Sequence, residues 1–407
     1  MTKRCFCTLL AAAIVSALAA SAPLLAQTPS ASDVEKARRV LKAVPLIDGH
    51  NDLPWAIRES KSAPHDVEAY DLRGRVTGHT DLARLATGML GGQFWSVYIP
   101  GDTATKRLGY AKVQLEQIDI MRRVMAKYPE RFEPVHDAAG FRAAFARGKI
   151  GSTLGLEGGH AIENSLGALR AYYDLGARYM TLTHNQTLDW ADAASDVARH
   201  GGLSEFGKEV VREMNRLGML VDLSHVSPAT MSDALDVSEA PVIFSHSNAR
   251  AVTEHVRNVP DSILTRLPRN GGLVMVTFVP GFSSNEVAAY NRLPAAQRPA
   301  GPAPRATLAQ VADHIEHVRK VAGVDHVGLG GDFDGIEDVV VGLEDVSTYP
   351  ALFAELSRRG WSEADLRKLA GENILRVFAQ AEQVSARLRK SRSASTKTIS
   401  ALDGSAR

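Results

Sequence analysis

The chain has 407 residues, 45% of them apolar, enough to bury one large core or two ordinary ones. Basic and acidic residues nearly balance, 47 against 46, so the charge gives no support to nucleic-acid or anionic-membrane binding. The 2 cysteines, Cys5 and Cys7, lie at the extreme N-terminus, which leaves the remaining chain without disulfides, thiolate metal sites or cysteine nucleophiles.

Residues 1–26 read as a secretory signal peptide. Lys3 and Arg4 form a short basic start, Leu9–Leu25 is apolar and Ala-rich, and Ala20, Ala22 and Ala26 offer small-residue cleavage sites. Ser16, Ser21 and Pro23 interrupt the apolar run and argue against a spanning helix, the competing reading being an uncleaved anchor. Cleavage predicts an exported protein, periplasmic or secreted, with no integral membrane span. Losing Lys3 and Arg4 takes the 47 basic residues to 45, against 46 acidic ones.

Ser32, Asp33 and Glu35 predict a capped helix start running to about Lys42. Short apolar runs then recur at Pro45–Asp52, Gln93–Ile99, Ser152–Glu157, Tyr179–His184, Met219–His225, Val242–His246, Leu273–Val279 and Val327–Asp332. They are dense in Val, Ile, Leu and Phe and do not alternate, as expected of parallel strands covered on both faces. Between them Ala111–Lys127, Leu203–Leu217 and Leu308–Val321 carry apolar residues at helical spacing. Eight such units predict one (β/α)8 barrel of the TIM type over residues 32–385, with its active site at the C-terminal strand ends. A doubly wound sheet would need a Gly-rich phosphate turn after the first strand, and DGHNDLP is not one. Residues 56–90 predict an irregular hairpin or helix over the barrel mouth, the Pro/Ala/Gly-rich segment 281–306 a lid, and 390–407 a disordered tail.

The chemistry gathers at the strand ends. His50 and Asp52 are two positions apart on an extended segment, which predicts side chains leaving one face, with Gly49 permitting close backbone approach. Glu157, His184, His225, His246 and Asp332 end later strands, and 7 ionisable groups on one rim need partners that a metal supplies. Three imidazoles and two carboxylates exceed one tetrahedral site and suit a bridged pair of ions. No HExxH helix, GxSxG elbow or GxxxxGK[ST] loop is present, and Asp332–Gly335 is a poor match to a calcium loop. His314 and His317 read as solvated helix residues, and Asp189, Trp190 and Asp192 as the cap of the next helix.

In order, PLIDGHNDLPW, GLEGGHAIE, LTLTHN, LVDLSHVSP, FSHSNARAV, RNVPD, HVGLGGDFDG and LAGENILRVF resemble the renal (membrane) dipeptidase family of the amidohydrolase superfamily. The resemblance spans about residues 33–385 and implies a zinc-dependent hydrolase of dipeptides, including those with a D-residue at the C-terminus. It implies two Zn2+ per chain, bridged by Glu157 and a water or hydroxide, with His50 and Asp52 on one ion and His225 and His246 on the other. It further implies His184 as the substrate-side histidine that stabilises the oxyanion, Arg257 as the carboxylate-binding arginine and Asp332 as the acid/base. A homodimer is a further expectation. The disulfides and lipid-anchor signal of the mammalian members are absent, and segment 281–306 is longer and more Pro-rich than the family pattern. Hydrolysis of other amides (N-acyl amino acids or β-lactams) on the same site is the alternative, ahead of a phosphoesterase or lactonase and of a non-catalytic binding protein.

Overall fold

A computed structural model describes residue 2 and residues 28–404. The signal-peptide reading of residues 1–26, with Cys5 and Cys7, therefore falls outside the described residues. Among these no helix is long and apolar enough to cross a membrane.

The first helix, Ala31–Ala43, is capped at Ser30, two residues earlier than its Ser32 start suggested. Ser30 accepts from the Asp33 amide while the Asp33 carboxylate accepts from the Ser30 amide. Strands then follow at β1 (Leu46–Asn51), β2 (Leu90–Ser96), β3 (Phe132–Pro134), β4 (Ile150–Glu157), β5 (Ala177–Thr181), β6 (Leu220–Asp222), β7 (Ile243–Phe244), β8 (Leu273–Val276) and β9 (Val327–Leu329). All pairings are parallel, and β2–β4 together with β1–β9 closes the sheet into an eight-membered (β/α)8 barrel. The eight runs read from the sequence are its eight staves. The short β3, which hydropathy did not single out, shares one edge of β4 with β5: it pairs with Ile150–Ser152, and β5 takes over from Leu154.

Every residue of β1, β2 and β4 is buried, and polar residues inside them find partners there, as Gln93 donates to Asp48 at 2.8 Å. Ile47, Phe94, Tyr179, Met275 and their neighbours pack with Phe141 and Phe378, which come from the helices Ala138–Ala146 and Asn373–Ser391. The helices expected at 111–127, 203–217 and 308–321 are Tyr110–Lys127, Glu205–Leu217 and Leu308–Ala322. The last two begin at Ser204 and Thr307, whose side chains accept from the first-turn amides.

Segment 281–306, expected as a lid, begins within the helix Pro280–Ser283 and contains the helix Asn285–Arg292, with Val287 and Ala288 buried. Two other peripheral expectations are corrected. The tail expected to be disordered from residue 390 is placed as far as residue 404. The long helix continues to Ser391, Ser395 and Lys397 bond to Glu213 and Glu209, and Asp403 accepts from Ser204 and the Phe206 amide at a helix start. His314 is not solvated but fully buried. The Ala249 amide donates to its Nδ1 at 3.2 Å, and its Nε2 lies 3.3 Å from the Ser283 carbonyl. Over residues 56–90 two short helices, Leu53–Arg58 and Leu82–Thr87, flank irregular chain.

Candidate metal centre and active site

The barrel brings all 7 strand-end residues to one place. His50 is the penultimate residue of β1, but Asp52 has left the strand: its backbone (φ −96°, ψ 28°) caps the helix Leu53–Arg58. Their convergence, with His50 Nε2 3.2 Å from Asp52 Oδ2, thus comes from a register break in β1 and a turn, not from strand alternation. The Asp332 amide donates to the His50 carbonyl at 3.1 Å and the Asp52 amide to the Phe333 carbonyl at 2.9 Å, which ties the loop after β9 to the end of β1. Both His225 and Asp332 sit in the left-handed region, at φ 69° and 64°, so their side chains are aimed by sharp turns directly after β6 and β9. Close approach is needed beneath them as well. A Cβ on Gly155 would overlap the Tyr179 ring, whose hydroxyl reaches His50 Nδ1 at 2.8 Å.

Glu157 is the hub. Its Oε1 lies 3.0 Å from His225 Nε2, 3.5 Å from His246 Nε2 and 3.8 Å from His184 Nε2, and its Oε2 lies 3.4 Å from His50 Nε2. Among the described residues, three sets of donor atoms are close enough to share an ion: His50, Glu157 and His246; Glu157, His184 and His225; and His50, Asp52 and Asp332. The grouping differs from the motif-based one in placing His225 and His246 in different sets and in giving His184 and Asp332 donor atoms within reach.

The donor set fits a metal on the evidence of its own hydrogen bonds. His50 Nε2 and Asp52 Oδ1 are buried without a hydrogen-bond partner. The Nε2 atoms of His225 and His246 stand 2.8 Å apart. Burial pushes both imidazoles well below the usual histidine range, and the Arg257 guanidinium adds to this, so each offers a lone pair. Imidazole and carboxylate together suit zinc. Burial opposes ionisation of Glu157, yet the imidazoles, His50 foremost, hold its carboxyl well below the usual range. Burial, reinforced by the Asp52 and Glu157 carboxylates, pushes Asp332 well above it.

Arg257 lies beside this cluster, 3% exposed, with Nη2 2.9 Å from His246 Nε2 and Nη1 without a partner. Burial lowers it to about 10, and its guanidinium carbon sits 5.2 Å over the Phe282 ring. The cleft has a volume of about 650 Å³. Trp55, Tyr98 and His184 wall one side as a chain of ring contacts, while Val279, Phe282 and His255 wall the Arg257 side. A somewhat larger cavity, about 780 Å³, lies away from this cluster against β3 and β4 and contains none of the metal-capable groups found among the described residues.

Hydropathy did not single out Tyr179, Asn185, Asp222, Ser245 or Phe282. Asn185 Oδ1 stands 3.2 Å from His225 Nδ1, and Ser245 Oγ 2.8 Å from His246 Nδ1. Asp222 in LVDLSH carries the same signal as Glu157 and Asp332, an acid at a strand end. Asp189 and Asp192 do not cap a following helix. Asp192 is buried and accepts from the amides of Arg199, His200 and Gly202, so it folds the loop 192–202 whose Ser195 lines the cleft.

The family model for the membrane dipeptidases (peptidase family M19) matches residues 34–392. A metallopeptidase from Rhodobacter sphaeroides, liganded with a phosphinate mimic of the dipeptide L-Ala-D-Ala, is 27% identical at a TM-score of 0.72, over 83% of this chain and 99% of that one. The metallopeptidase dipeptidase AC is 28% identical at a TM-score of 0.72, over 83% and 98%. The probable dipeptidase PvdM from Pseudomonas aeruginosa, at 22% identity and a TM-score of 0.76 over 87% and 99%, shares the fold.

Proposed function

The chain belongs to the membrane dipeptidase family of metal-dependent peptide hydrolases, and we propose that it hydrolyses free dipeptides at a two-zinc centre. Glu157 would bridge the ions, with His50 and Asp52 completing one site and His225 and His246 the other. When bound, zinc supplies a water made acidic enough to attack at neutral pH and a Lewis acid for the scissile carbonyl.

The observation that carries the reading is Arg257. A buried guanidinium with one nitrogen unpartnered, beside a cluster of metal-type ligands, calls for an anion at that position. A substrate carboxylate would satisfy it in a bidentate pair. Such an anchor one residue from the cleaved bond measures length and favours dipeptides over longer chains. His184, held between the Tyr98 and His225 rings, would donate to the oxyanion of the tetrahedral intermediate. Asp332 would accept the proton of the attacking water and deliver it to the leaving amine. The dipeptide mimic in the Rhodobacter relative supports acceptance of a D-residue at the C-terminal position. The N-terminal 26 residues support export by a signal peptide.

Metal analysis of the purified protein together with a panel of dipeptides, tripeptides, acylated amino acids and β-lactams tests the proposal. About two zinc ions per chain and turnover confined to dipeptides are expected. Full activity with one ion, or a preference for acylated amino acids, contradicts it.

A further inference from the structure

We propose that Asp222 is a positioning residue for the metal centre, acting through the Ser245 hydroxyl on His246. The inference rests on the reading that His246 holds a metal ion, and it concerns how the chain prepares that ligand.

The argument is a count of donors. Asp222 closes β6, is fully buried, and receives four hydrogen bonds on its carboxylate. The amides of Ser224 (3.1 Å) and Ser245 (2.8 Å) donate to Oδ1, while Thr181 Oγ1 (2.5 Å) and Ser245 Oγ (2.6 Å) meet Oδ2. The Ser245 hydroxyl has one proton, and the carboxylate takes it. Its oxygen, 2.8 Å from His246 Nδ1, can then only accept, so Nδ1 carries a hydrogen and Nε2 carries the lone pair. The other end of the ring gives the same answer independently. Arg257 Nη2, which has no acceptor capacity, stands 2.9 Å from His246 Nε2. The lone pair is therefore on Nε2, the atom that lies 3.5 Å from Glu157 Oε1 and 2.8 Å from His225 Nε2.

The other two imidazoles lack an anionic support. His50 Nδ1 meets the Tyr179 hydroxyl and His225 Nδ1 the Asn185 amide oxygen. Only His246 is backed by a carboxylate, at one hydroxyl's remove. A carboxylate behind a ligating imidazole orients the ring and raises its basicity, and losing such support weakens metal binding by about 10- to 100-fold.

The test uses the full zinc-loaded protein with a competing chromophoric chelator, and the cobalt(II)-substituted protein for visible absorption. Wild type is expected to release its ions in two steps. Ser245→Ala should weaken one step by about 10- to 100-fold, leave the other unchanged and alter the cobalt spectrum. Asp222→Asn should do the same, and the double variant should lose no more than either single one, because both break one chain. Thr181→Val removes a different donor from the same carboxylate and should change neither step. The proposal is overturned if Ser245→Ala leaves metal release and the cobalt spectrum unchanged. It is also overturned if the Asp222 and Ser245 effects add, or if Thr181→Val weakens binding as much as Ser245→Ala. Should Asp222→Asn fail to fold, the contrast between Ser245→Ala and Thr181→Val decides alone. A wild type that releases metal in a single step overturns the two-ion reading only, and the relay is then judged on that step.

Discussion

His225 and His246 turn their Nε2 atoms to within 2.8 Å of one another in a buried site. With both rings kept neutral by burial, two lone pairs at this distance repel; Arg257 Nη2 meets His246 Nε2 at 2.9 Å, and a metal ion would give both nitrogens a common partner. The folded state should therefore bind metal far better than the unfolded chain does. Removing it with a chelator should lower Tm, and zinc should restore it. Ligand at a thousand times its Kd stabilises by about 4 kcal/mol. Scanning calorimetry with and without zinc checks this, and an unchanged Tm would count against a metal centre at these residues.

Asp332→Asn separates holding metal from moving protons. The side chain lies 3.9 Å from His50 Nε2, near enough to reach the cluster. If it carries the proton, the variant keeps its zinc and loses about 10²-fold or more in kcat. Loss of an ion in metal analysis would instead make Asp332 a ligand.

His314 makes stability depend on pH. Burial pushes it from 6.5 down to about 4, and the Ala249 amide occupies its Nδ1 lone pair. The folded protein thus binds fewer protons than the unfolded one, and stability rises with pH across this window. The contribution is complete above about pH 6.5 and is lost as the pH falls toward 4, roughly 3 kcal/mol in all for a shift of this size. His314→Gln should flatten the acid limb of the urea midpoint against pH; an unaltered slope would show that the histidine is protonated in the fold.

Removing residues 393–407 should cost about 1–2 kcal/mol, mostly through the lost Asp403 contacts with Ser204 and the Phe206 amide. A chain of unchanged stability would mean that these contacts contribute nothing in solution.

How far the sequence could be read follows from the kind of signal each feature leaves. Parallel strands buried on both faces leave runs such as Leu273–Val276, so the barrel was legible and its 7 strand-end ionisable residues could be placed on one rim. The short β3 could not be seen, since Phe132–Pro134 is three residues long with only its first buried. Composition misjudged the C-terminal tail because it measures apolar content, whereas this segment docks by hydrogen bonds to Glu209 and Glu213 with little more than Ile399 and Leu402 against the core. His314 sits on an amphipathic helix whose buried side could be assigned only once Ala249 and Ser283 were seen to face it. Ser245 and Tyr179 were invisible for a related reason: a hydroxyl inside a strand or at its end has no pattern until its partner is known.

The measurement that bears most directly on the central claim compares wild type with Arg257→Met on a dipeptide and on the same dipeptide carrying a C-terminal amide. Arg257 follows His246 by eleven residues in the chain, yet it returns to 2.9 Å from that ring. A charged bidentate contact is worth about 1.5–3 kcal/mol, or roughly 10- to 150-fold in kcat/KM. Wild type should cleave the free acid well and the amide poorly, and Arg257→Met should handle the two almost alike. A variant that still prefers the free acid as strongly as wild type does would contradict the account, because the buried guanidinium would then not be what holds the substrate carboxylate.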